Sequence, residues 1–120
     1  MDESFAFEKL DVYQRALTFA KKIQNITKEI KGYFPWCDQC YRAAMSIVLN
    51  LAEGAGRQHA NDKKNFYFIA RGSAFECVPL IELGFDAKVI NTSQRDELRV
   101  DLKSICQMLT KLIQSIQKEV

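Results

Sequence analysis

Leu98-Arg99-Val100-Asp101-Leu102-Lys103-Ser104-Ile105-Cys106-Gln107-Met108-Leu109-Thr110-Lys111-Leu112-Ile113-Gln114-Ser115-Ile116 decides the fold. Its large aliphatic residues at Leu98, Leu102, Ile105, Leu109, Leu112 and Ile116 alternate spacings of four and three. That is the seam of a helix packed lengthwise against other helices. A strand would alternate every second residue, and no segment of this chain does so convincingly. Ser93 is a good N-cap for this helix, because a short side-chain oxygen can bond free first-turn amides. The helix is expected to run on to Glu119.

Upstream, the same period predicts three more helices. The third spans Lys63 to Val89, with Phe66, Ile69, Ser73, Cys77 and Leu80 as its core stripe and Asn61 or Asp62 as its cap. Pro79 lies inside it and predicts a kink, since proline removes a donor and crowds the preceding turn. The second spans Asp38 to Gln58, with Cys40, Ala43, Ala44, Ile47 and Leu51 inward. The first spans Phe7 to Ile30, its stripe running from Leu10 and Tyr13 through Ala16, Leu17, Ala20 and Ile23, and Gly32 and Pro35 end it. Four long helices with short connections predict an all-α, antiparallel up-down-up-down four-helix bundle, one domain over residues 1–120.

The whole-chain figures fit that reading. A chain of 120 residues, 48% hydrophobic and 27% charged, suits one globular domain with its own core. A net charge of +2 carries no nucleic-acid signature by itself. No apolar run reaches the roughly 20 residues of a membrane span. The acidic start, Met1-Asp2-Glu3-Ser4, does not resemble a signal peptide. The expectation is a cytoplasmic protein whose four cysteines are free thiols.

At about 100° per residue, the first and last helices are apolar on one side only. The middle two are not. Phe68, Phe75 and Val78 point away from the core of the third helix, beside Arg71 and Glu82, and Met45, Leu49 and Ala52 point away from that of the second. A helix apolar on two sides should be buried on two sides. These outer residues, Met45, Leu49, Ala52, Phe68, Arg71, Phe75 and Val78, are therefore the expected oligomer interface.

Other motifs give less. Trp36-Cys37-Asp38-Gln39-Cys40 has redox spacing ahead of a helix, but a thioredoxin-like site belongs to a strand–helix unit. Zinc would need paired ligand spacings, and Cys77 and Cys106 stand alone. His59, the single histidine, has no Ser or Cys partner for a catalytic triad. Gly54 and Gly56 belong to a helix end, without the Lys-Ser/Thr of a phosphate loop. No metal, cofactor, small-molecule substrate or catalytic residue is expected.

Gly72, in mid-helix, costs about 1 kcal/mol against alanine. It either admits a neighbouring helix or clears room for Arg71 to form an ion pair with Glu53 or Glu76. Arg57, His59, Lys63 and Lys64 cluster at the turn between the second and third helices. In a symmetric ring such a turn would repeat around one rim and could bind phosphates. With Lys21 and Lys22 of the first helix, these are the candidate nucleic-acid contacts.

Three segments carry a family resemblance: Phe7-Glu8-Lys9-Leu10-Asp11-Val12-Tyr13; Arg42 to Ile47 followed by Asn50-Leu51-Ala52-Glu53-Gly54-Ala55-Gly56-Arg57; and Phe66 to Ser73 with Glu76. Together they resemble the 23S rRNA intervening-sequence proteins, across nearly the full chain. Val48 stands where members often have proline, and Pro79 is outside the pattern. The resemblance implies a bacterial up-down bundle assembling as a homopentameric ring and associating with RNA or ribonucleoprotein. The accessory proteins of diversity-generating retroelements are a related group with a similar basic ring. The expected function is thus a non-catalytic, homo-oligomeric binding protein for structured RNA. A protein–protein scaffold or retroelement-accessory-like role without direct RNA contact is the alternative, and thiol redox chemistry comes third.

Overall fold

Pro35 opens the second helix rather than closing the first. In the computed structural model, which describes the backbone of residues 2–119 and the side chains of residues 2–116, α1 is Asp11–Lys28 and α2 is Phe34–Ala55. A short 3-10 turn, Ala6–Lys9, precedes α1. Between α1 and α2, Gly32 and Tyr33 both take left-handed backbone, with φ of 87° and 53°. Proline in the first turn gives up an amide that has no partner there anyway, and its fixed φ suits a helix start. The second helix therefore begins before Asp38, and Trp36 and Cys37 lie in its first turn rather than in a loop.

Helices α3 (Ala60–Asp86) and α4 (Thr92–Glu119) complete a bundle without strands among the described residues. Helix α3 continues unbroken through Pro79. Each helix packs on the next, and α1 closes against α4. The cross-contacts run in opposite numerical directions: Trp36 to Leu80 and Ser46 to Ser73 between α2 and α3, Glu82 to Arg99 between α3 and α4. The two contacts between α2 and α3 make that pair antiparallel.

The seam of α4 is the core. Leu98, Leu102, Ile105, Leu109, Ile113 and Ile116 are buried, with Leu112 at the edge. The expected stripe of α2 is buried throughout. The stripe of α3 is not the expected one: it is Tyr67, Ala70, Ala74, Cys77, Ile81 and Gly84. Ile69 is 44% exposed, and Phe66, Ser73 and Leu80 are only half-buried. The reason is close packing. Helices α2 and α3 share the most extensive contact in the bundle and both bury alanines, Ala43 and Ala44 from α2 and Ala70 and Ala74 from α3, so α3 turns small residues inward and leaves its large ones on its flanks.

Two rings lock this contact. A Cβ on Gly54 would strike the Tyr67 ring, and one on Gly84 would strike the Trp36 indole. The indole Nε1–H also donates to the Leu80 carbonyl at 2.8 Å. Midway, the Ser46 and Ser73 hydroxyls hydrogen-bond at 2.7 Å, and Asn50 donates to the Ser46 carbonyl.

The caps differ from expectation. Position 59, not 61 or 62, caps α3, and no side chain bonds the amides there. For α4 the cap is Asn91 rather than Ser93. The Gln94 amide donates to Asn91 Oδ1 at 2.8 Å, and the Asn91 amide donates to Gln94 Oε1 at 2.9 Å. This reciprocal pair is a capping box. Asn91→Ala is expected to lower unfolding free energy by about 1 kcal/mol, with Ser93→Ala within about 0.5 kcal/mol of the native chain. Urea unfolding of the two variants checks this, and equal losses would contradict the assignment.

Candidate interaction surfaces

The outer faces of α2 and α3 carry exposed apolar side chains. Leu49 is 61% exposed, Phe68 45% and Phe75 53%. Met45, Ala52 and Val78 are half-buried. Two grooves flank them. One, of about 430 Å³, runs between α3 and α4 over Phe75, Val78, Val100 and Cys106, with Arg99 and Lys103 along its rim. The other, of about 200 Å³, runs between α1 and α2 over Leu17, Tyr41, Met45 and Leu49, with Lys21 beside it. Val100 and Leu83, both exposed, are absent from the surface expected from sequence. Each lies well off its helix's buried stripe, so the 100° rule applied to every apolar residue would have revealed them.

Arg71 does not form the expected ion pair. Glu53 is held by Arg57 at 2.7 Å, and Glu76 accepts from Gln39 Nε2 at 2.9 Å. The Arg71 guanidinium instead lies 5.3 Å from the centre of the Phe75 ring. Its Nε is buried with no hydrogen-bond partner. Gly72 has open space where its Cβ would be.

The basic residues fall in separate places. Lys63 Nζ donates to the Ala55 carbonyl at 2.9 Å, so its charge sits on the C-terminal end of α2, where cations are favoured. Arg57 is paired with Glu53 and stacks over Phe66. Lys22 lies on the opposite seam, between α1 and α4. Its ammonium meets Asp101 at 2.7 Å and Glu97 at 3.1 Å. Asp101 is buried, and a buried carboxylate must be paired. The bond to Asp101 pushes the Lys22 pKa upward. His59 and Lys21 are exposed and Lys64 is half-buried, and none of the three makes an ion pair among the described residues. The turn thus keeps His59 and Lys64 as available polar groups, while Lys21 belongs to the α1–α2 groove.

The thiols are quiet. Burial pushes Cys40 and Cys77 up to about 12 and raises Cys37 and Cys106 as well. A redox nucleophile needs its pKa lowered, so Cys37 and Cys40 lack the thiolate that chemistry requires. No group of three or more His, Cys, Asp or Glu side chains is placed to hold a metal among the described residues. No helix among them is long and apolar enough to cross a membrane.

A bundle with apolar outer faces can bind through those faces. Comparison with known families bears on what such a bundle is. The model of the 23S rRNA-intervening sequence protein family matches residues 8–111. The chain belongs to this family. The match includes the central segments around Arg42–Arg57 and Phe66–Glu76, which hold both outer faces. Among solved structures, this family member is similar to a Bacteroides thetaiotaomicron protein of unknown function from the S23 ribosomal protein family. The two are 26% identical, with a TM-score of 0.80 over 86% of this chain and 95% of the other. No curated protein matches significantly.

Proposed function

We propose that this family member is a non-catalytic subunit that assembles with copies of itself, as a pentamer, and binds structured RNA in the bacterial cytoplasm. The observation that carries the assembly is the exposure of Leu49, Phe68 and Phe75 on adjacent helices. Large apolar side chains exposed in groups on a subunit mark contact sites. The family's description supports RNA as the ligand, and of the six candidate contacts His59, Lys64 and Lys21 make no ion pair among the described residues and can meet phosphate.

A second reading, a protein–protein scaffold, has its own support. Lys63, Arg57 and Lys22, three of the six candidate phosphate contacts, are already engaged within the subunit.

Light scattering and RNA retention test both together. The expected mass is a multiple of 13.8 kDa, five-fold for the pentamer. RNA affinity should fall steeply with salt, and Lys64→Glu with Lys21→Glu should weaken it at least about tenfold, since each phosphate contact adds to the salt-dependent binding. Assembly without salt-sensitive retention would replace RNA with a protein partner. A lone subunit at high concentration would remove the proposal altogether.

A further inference from the structure

Resting on the self-assembly proposed above, we infer which faces meet in it: the outer face of α2 in one copy packs antiparallel on the outer face of α3 in the next. Leu49 sits against Arg71, and Glu53 supplies the carboxylate that Arg71 lacks.

The first observation is the orphaned donor. A buried guanidinium N–H without a partner carries an uncompensated desolvation cost. Arg71 lies on an outward flank of α3, against the Phe75 ring; among the described residues its terminal nitrogens have no hydrogen-bond partner and are not sealed off like the Nε, so an acceptor arriving from outside the subunit can bind the guanidinium through them. The second is Gly72. Gly54 and Gly84 each make room for a ring of the same subunit, but Gly72 makes room for nothing within it. A missing side chain on an exposed apolar face lets a foreign backbone come close.

The third observation is placement. Met45 and Leu49 line the groove on the α1 side of α2, while Phe75 and Val78 line the groove on the α4 side of α3. These are opposite flanks of the bundle. A two-fold contact uses one patch twice, whereas two different patches on opposite flanks suit head-to-tail association.

The fourth is register. The Ser46–Ser73 hydrogen bond fixes which residues of antiparallel α2 and α3 are level. Counted from it, Met45, Leu49 and Ala52 are level with Phe75, Arg71 and Phe68 to about one residue, or ~1.5 Å. In a ring whose axis runs along the bundle, every α2 is antiparallel to the next copy's α3 and at the same height. The three outer residues of α2 then face the three of α3. Glu53 is one turn beyond Leu49 and exposed, and its carboxylate has only Arg57 as partner, so it has lone pairs left for Arg71.

Cysteine pairing tests this in a background of Cys37→Ser and Cys106→Ser, which removes the half-buried thiols. Ala52→Cys and Phe68→Cys are placed in separate copies, one of them tagged, co-expressed and oxidised. A disulfide between the two variants is expected, with neither linking to itself when made alone. Self-linking of either variant would indicate a two-fold contact and overturn the inference. Assembly by light scattering without any mixed disulfide would overturn it too, yet leave self-assembly standing; a single-subunit mass would remove both. Independently, Glu53→Gln should raise the dissociation constant of the assembly about tenfold, the scale of one charge-assisted hydrogen bond. It should do nothing further in an Arg71→Gln background. Equal effects in both backgrounds would separate Glu53 from Arg71.

Discussion

Raising the pH from 8 to 10.5 should lower the subunit's unfolding free energy by about 4 kcal/mol. Cys40 and Cys77 cause most of this. Both are buried, and burial holds each thiol protonated up to about 12 in the folded chain. In the unfolded chain they ionise near the ordinary 9.0. Above that value the unfolded state binds fewer protons than the folded one, so stability falls as pH rises, and goes on falling to about 12. Each thiol contributes about 1.4 kcal/mol per pH unit once the pH passes 9, or about 2 kcal/mol over this window. Tyr67, raised by burial, and Lys22, raised by Asp101, act with the same sign at higher pH. Below pH 9 the thiols contribute their stability in full. Urea unfolding between pH 8 and 10.5 measures the slope. Cys40→Ala with Cys77→Ala should flatten it, whatever its effect on absolute stability, and an unchanged slope would clear the thiols of responsibility.

Gly84→Ala should cost about 2 kcal/mol in the native chain and become stabilising once Trp36 is removed. The indole is held over Gly84 by packing and by its hydrogen bond to the Leu80 carbonyl, so it cannot easily step aside. An added methyl overpacks the site. Trp36→Ala alone should cost about 3 kcal/mol, as for other large aromatic truncations. In that background the added methyl meets no ring, and the substitution gains about 1 kcal/mol of helix propensity. The double-mutant cycle should therefore show a coupling of about 3 kcal/mol. Additive effects would mean that the ring relocates and that Gly84 does not depend on it.

The two helices around this lock also show how far the sequence can be read. The α4 seam is legible because Leu98, Leu102, Ile105 and Leu109 are large and periodic. The α2 stripe is legible too, because Ile47 and Leu51 mark it. The α3 stripe misleads because size is the usual sign of burial, while the close α2–α3 contact selects Ala70, Ala74 and Gly84 instead. Pro35 reads as a stop because the same residue can end one helix or begin the next, and only the left-handed Gly32–Tyr33 corner decides. Of the candidate surface, Leu49, Phe68 and Phe75 follow from their angles alone. Lys63 and Lys22 read as free charges because their partners, the Ala55 carbonyl and Asp101, lie in the backbone or far away in sequence.

The two ring-on-glycine contacts make the α2–α3 hairpin a ratchet with one tooth position. Each helix offers one glycine and one aromatic ring, at opposite ends of the contact. A slide of one turn that carries each ring toward the middle of the opposing helix would press Trp36 against the Cβ of Leu80 and Tyr67 against that of Asn50. Intermediate offsets are blocked as well, because interdigitated side chains resist continuous shear. Against a slide in that direction α2 and α3 therefore hold together as one piece.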